Sequence, residues 1–183
     1  MLKYLVVYAS ETGNTKKIAD EIFYALPSDS KEEINVRSWN GRHDAETYFI
    51  GYWANRGTCS LEVIDLIMSL HGKNVAFFGT CGMGNDTEYY RQMENIGLVW
   101  LANDNTYLGG YFCQGSMPPM IKERYEEKRG RIDDDTIDRM IAIFDEGQKH
   151  PDRQDLLKAN VFADTAIRKI PNNDSYTRLR DII

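Results

Sequence analysis

The stretch Ser10-Glu11-Thr12-Gly13-Asn14-Thr15 concentrates groups able to do chemistry. It stands between an apolar run, Lys3 to Tyr8, and a pattern in which Ile18, Ile22 and Leu26 recur at i, i+4 and i+8 before Pro27. A buried strand, three hydroxyls, a glycine and then a helix start place hydroxyl groups beside free amide N–H groups at the positive end of a helix dipole. That is an anion site. It is not a G-x-x-x-x-G-K-S/T loop, because Tyr8 stands where the first glycine would fall and Lys16 follows the last threonine. One glycine is too few for G-x-G-x-x-G. No cysteine has an arginine six positions later, so a phosphatase loop is excluded. The pattern suits a phosphate monoester held by hydroxyls and amides without a cation. The plainer alternative is a helix that Ser and Thr merely cap.

Two further loops follow strand-like runs: Gly51-Tyr52-Trp53-Ala54-Asn55-Arg56-Gly57-Thr58 and Gly79-Thr80-Cys81-Gly82-Met83-Gly84-Asn85. Trp53 offers an aromatic face, with a place in the core as its alternative. Gly57 supplies backbone freedom at what is otherwise a plain turn. Cys81 reads as a loop residue rather than a nucleophile, and Cys113, at a strand end, as buried and inert. Cys59, Cys81 and Cys113 form no CxxC, and His43, His71 and His150 are isolated from one another. No metal site is expected from such spacing, and reduced thiols are the simplest account. His150 with Pro151 and Asp152 reads as a device that starts a helix.

The elements that position these loops alternate along the chain. Lys3 to Tyr8, Tyr48 to Trp53, Val75 to Phe78 and Tyr107 to Phe112 are continuous or near-continuous apolar runs, as in strands buried on both faces. Ile34, Val36 and Ser38 alternate with polar residues, as in an edge strand. Ser60 can cap a helix whose Leu61, Ile64, Ile67 and Met68 share a face and which Gly72 stops. Asp86 caps another with Tyr89, Met93, Ile96 and Trp100 in register. Asp134 and Asp135 open a third carrying Ile137, Met140, Ile141 and Phe144, ending near Gly147. Asp152 and Asp155 begin a last helical pattern that runs to Pro171. Five strand–helix alternations predict a parallel sheet with helices on both faces, over residues 1–150, followed by a helical extension, 151–183.

At 183 residues the chain is near one domain's worth. Its 42% hydrophobic and 27% charged content is that of an ordinary globular protein. The apolar runs are far shorter than the ~20 residues of a spanning helix, so no membrane insertion is expected. The opening Met1-Leu2-Lys3-Tyr4 does not resemble a secretory signal, which predicts a cytoplasmic protein. A net charge of −6 argues against nucleic acid as the main partner. Residues 1–150 carry net −7 and residues 151–183 net +1. An acidic body suits steering toward basic protein partners, or serves solubility alone.

Ser-x-Thr-Gly-Asn-Thr after a first buried strand resembles the FMN-phosphate loop of flavodoxins. The resemblance covers residues 2–148. It implies a flavodoxin-like three-layer sandwich around a five-stranded parallel sheet of order 2-1-3-4-5, with noncovalent FMN at the carboxyl ends of the strands. It implies cofactor contacts from Ser10, Glu11, Thr12, Gly13, Asn14 and Thr15, from Trp53, Ala54, Asn55, Arg56 and Gly57, and from Thr80, Cys81, Gly82, Met83 and Gly84. Two departures from the family pattern matter. No aromatic stands in the loop after the fourth strand to stack on the outer ring face, where Met83 can substitute through its thioether. Arg56 replaces the acids usual near the ring, which implies stabilisation of an anionic reduced flavin. Gly-Tyr-Trp-x-x-x-Gly-Thr, Phe112-Cys113-Gln114-Gly115 and Lys149-His150-Pro151-Asp152 with Asp155-Leu156 are similar to one branch of small flavodoxin-like proteins associated with bilirubin reductase. The function implied is electron transfer to or from a protein partner of that type, with no catalytic side chain required. The alternative is an FMN-dependent NAD(P)H oxidoreductase using the same cleft; a flavin-free interaction module would leave the anion site without purpose.

Overall fold

The computed structural model describes residues 1–27, 30–54, 57–84 and 86–170. Five strands, β1 (Leu2–Tyr8), β2 (Lys31–Asn35), β3 (Ala45–Trp53), β4 (Asn74–Cys81) and β5 (Thr106–Gln114), form a sheet of order β2-β1-β3-β4-β5. Every neighbouring pair is parallel. The expected topology is present. The central strands read as unbroken apolar runs because helices cover both faces. Tyr4, Leu5, Val6 and Val7 are all buried, as are Phe49, Ile50, Phe77 and Phe78.

Helices α2 (Leu61–Ser69) and α3 (Thr87–Leu98) contribute to the core on one face, around Leu5, Ile50 and Phe77. Helices α1 (Asn14–Ala25) and α6 (Arg153–Arg168) build the other, around Val6, Phe49 and Phe78. In α6 the inward stripe is Ala159, Ala163, Ala166 and Ile167, three of them small, which lets the helix lie close on its neighbours. Asp152 caps α6 in a reciprocal box with Asp155. A third, smaller core joins Tyr125 of α4 (Met120–Glu126) to Ile137 and Phe144 of α5 (Asp134–Gly147), with Met83 and Met117 packed against it. No helix among the described residues is long and apolar enough to cross a membrane.

Three expectations need correction. The edge strand comes earlier than the alternation suggested: Lys31–Asn35 pairs with β1, and Val36–Ser38 winds into a 3-10 turn started by the Asn35 side chain. The inward face of α2 is Val63, Ile64, Leu66 and Ile67, while Leu61 and Met68 are exposed. Trp100 lies past the end of α3 and is 40% exposed rather than in register with its buried face. Helix α4 was not expected at all.

Candidate functional site

The loop after β1 turns on Gly13, the N-cap of α1, whose φ of 88° falls in the left-handed region that favours glycine. Gly13 has no side chain to cap the helix, and the first turn holds no acid. Gly13 thus supplies no side-chain acceptor to the first two amides of α1, those of Asn14 and Thr15, which are left for a ligand. Ser10 Oγ accepts from the Gly13 N–H at 3.1 Å and the Lys16 N–H at 3.4 Å. Thr12 Oγ1 accepts from Asn14 Nδ2 at 3.0 Å. In both contacts the hydroxyl oxygen is the acceptor, so its hydrogen is available to donate outward. Thr15 Oγ1 lies 3.0 Å from Thr80 Oγ1 at the end of β4, both residues buried. If Thr80 donates, Thr15 also keeps its hydrogen for an anion.

The cleft beyond this loop has a volume of about 260 Å³. Trp53 ends β3 and Ala54 follows it, while Thr80 and Cys81 end β4 and Gly82 follows them. The rest of the lining is Ser10, Glu11, Thr12, Asn14 and Thr15, together with Gly115, Ser116, Met117, Pro118 and Ile121 beyond β5. No sequence motif marks that last group as part of the site, unlike the loops after β3 and β4. Its signal was present only in the partner it meets. Buried Asn14 donates to the Ser116 carbonyl at 2.8 Å and so clamps the phosphate-type loop to the segment after β5.

Not every expected contact gathers here. Gly13 is not among the lining residues; it supplies the turn, and its N–H is held by Ser10 Oγ. Gly57 borders a separate open depression with Ile96, Val99 and Trp100. Met83 leaves the cleft for the third core, its Sδ accepting from the Tyr125 hydroxyl at 2.9 Å. The Gly84 carbonyl accepts from Cys81 Sγ at 3.3 Å. Asn55 and Arg56 lie outside the described residues.

Among the described lining residues none is Lys, Arg or His. Lys16, next to the loop, is instead turned onto Asp20 at 2.6 Å, with Glu33 at 3.8 Å. Burial pushes the Cys81 thiol up to about 12, and it pushes Cys113 up as well. Neither is a thiolate at neutral pH. His150 Nδ1 sits 2.5 Å from Asp155 Oδ2, which also accepts from the Asp152 N–H, so the three groups satisfy one another at the start of α6.

The donor set fits FMN: uncapped helix amides and three hydroxyls for a phosphate, opening into a cleft lined by Trp53 and Met117 for a ring. A family model described as the flavodoxin domain matches residues 5–164. The chain is 33% identical over 171 residues to a flavodoxin-like domain-containing protein BilS of Clostridioides difficile (strain CD3), covering 88% of this chain and 94% of that one. It is 26% identical over 176 residues to the protein of the same name from Clostridium symbiosum (strain WAL-14163), covering 85% and 90%. Among solved structures, a short-chain flavodoxin associated with a non-canonical PDU bacterial microcompartment aligns with a TM-score of 0.60 at 16% identity, over 92% of this chain and 98% of that one. A flavodoxin from Streptococcus pneumonia TIGR4 aligns at 0.58 and 14%, over 91% and 99%. Both show a shared fold.

Proposed function

The chain belongs to the flavodoxin domain family of FMN-binding electron-transfer proteins, and from that premise we propose that it is a carrier whose partner is another redox protein. FMN, when bound, supplies the electron-accepting and electron-donating chemistry. Ser10, Thr12 and Thr15, with the first amides of α1, hold its phosphate. Trp53, which lines the cleft, would contact its ring, and Thr80, Cys81 and Gly82, on the same lining, would border it. The Asn14 side chain orients the loop, because its Nδ2 is committed to Ser116 and Thr12, while its backbone N–H is one of the first amides of α1.

One observation carries the reading: an uncapped helix start ringed by hydroxyls opens directly into the cleft that Trp53 lines. A carrier rather than a stand-alone oxidoreductase is supported by the titratable groups. Glu11 is exposed, and the Cys81 thiol is buried and locked on two carbonyls. Neither is poised for proton transfer to a substrate. The resemblance of the late His150-Pro151-Asp152 motif to the small flavodoxin-like proteins associated with bilirubin reductase supports a partner of that type.

Stopped-flow spectroscopy of the flavin-loaded protein tests this reading. A yellow protein reduced by a partner protein but only slowly by NADH or NADPH is expected. Rapid bleaching by either nucleotide assigns the cleft to an oxidoreductase instead.

A further inference from the structure

Flat rings need two covers. The ends of β3 and β5 flank β4, and in register Trp53 stands beside Thr80 and Thr80 beside Cys113. Two strand spacings put those ends about 10 Å apart, while a planar ring in van der Waals contact on both faces takes about 7 Å. The β3 side offers Trp53. On the β5 side the chain leaves Gln114, crosses Ser116 and brings Met117 into the cleft.

We infer that Met117, held in place by the α4–α5 pair, is the second ring cover of the flavin cleft, the position for which the loop after β4 supplies no aromatic. The inference rests on the reading of that cleft as the FMN site. A Cβ built on Gly82 would lie 2.4 Å from both Cγ and Sδ of Met117, so the thioether rests directly on the bare backbone of the β4 loop. The Met117 carbonyl accepts from Gln148 Nε2 at 2.9 Å, just beyond α5. Buried Gln114 donates to the Ile143 carbonyl at 2.9 Å and the Gly82 carbonyl at 3.4 Å, tying α5 to the ends of both strands. The alternative thioether, Met83, is drawn off by Tyr125. Half-buried, polarisable and unbranched, Met117 can lie along an aromatic face. The insertion of α4 and α5 between β5 and α6 is then the scaffold of a ring cover. It also explains why a carrier can lack the usual aromatic and still shield its cofactor from small reductants.

The experiment compares FMN with riboflavin, which keeps the ring and lacks the phosphate. Apoprotein is titrated with each, following flavin fluorescence and the visible absorption bands. Met117→Ala is expected to weaken both ligands by the same factor, about tenfold, and to shift the visible bands. Thr12→Ala weakens FMN while leaving riboflavin within about threefold. Met117→Leu restores most of the loss; Met117→Gln, of similar length, replaces the alanine variant if that one fails to fold. Wild-type affinities and spectrum in the alanine or glutamine variant overturn the assignment. So does an equal loss on both ligands produced by Met83→Ala instead. A wild-type apoprotein that takes up neither ligand overturns the reading of the cleft itself, a failure distinguishable from the others.

Discussion

A hydroxyl holds a phosphate oxygen only when its hydrogen is not committed elsewhere. Ser10 and Thr12 meet that condition because the protein uses each of them as an acceptor. Thr12 is exposed, so Thr12→Ala removes a charge-assisted donor and, within the protein, only the bond from Asn14, whose amide keeps Ser116. Such a bond is worth about 1.5–3 kcal/mol, which predicts at least about tenfold weaker FMN binding with unchanged apoprotein stability; isothermal titration and thermal unfolding check the two halves. Thr15 differs, being 1% exposed and paired with Thr80. Thr15→Val leaves a buried hydroxyl without its partner, so apoprotein stability should also fall, by about 1–3 kcal/mol. Equal unfolding midpoints for the wild-type and Thr15→Val apoproteins would contradict that pairing. Trp53 gives an independent optical test. With Trp39 and Trp100 replaced by Phe, its emission should be quenched on FMN uptake and recover on removal. The loop was legible in the sequence because its donors are contiguous and sit at one strand–helix junction. Ser116 and Met117 were not, because they reach the same cleft from about a hundred residues away without a motif of their own.

Elements were legible to the degree that one face was distinctly apolar. Continuous runs marked β1, β3 and β4, and the spacing in α5 marked its buried Ile137 and Phe144. Helix α2 is apolar almost all round, so sequence alone could not choose Val63 and Leu66 over Leu61 and Met68. Helix α4, seven residues rich in charge behind two prolines, carries no period long enough to read. Strand β2, Lys-Glu-Glu-Ile-Asn, is half-buried at every position, which blurs the alternation. That edge holds a pH-sensitive group. Burial, then the Asp20 carboxylate, pushes Glu33 up to about 7 against the opposing pull of Lys16. The fold therefore prefers the protonated acid. Its contribution is complete below the ordinary value of 4.5 and is lost as pH rises through about 7. Glu33→Gln, which mimics the neutral form, should stabilise the protein by about 1–2 kcal/mol at pH 8 and hardly at all at pH 4. Urea unfolding at the two pH values measures this; the same difference at both removes the titration of Glu33 as its cause.

Across the whole molecule, five strands deliver loops from distant parts of the chain to one end of the sheet, and that shared end is why a small fold can build a cofactor cleft. An electron carrier needs many brief encounters rather than one tight complex, and long-range charge raises their frequency. Residues 1–150 carry net −7, and residues 151–183 offset this only by +1. Such a body attracts a basic docking face over a distance set by the Debye length, about 30 Å at 0.01 M salt and about 10 Å at 0.1 M. The second-order rate of electron transfer between the reduced holoprotein and its redox partner should therefore fall as salt rises over that range. A decrease on the order of tenfold fits steered association. The Thr12→Ala variant, reconstituted at saturating FMN, should follow the same salt curve, since the charge responsible is spread over the body and not held at the phosphate loop. Stopped-flow measurements at graded ionic strength decide the matter: a rate that is flat or that rises with salt rules out an acidic docking surface and leaves the net charge to serve solubility alone.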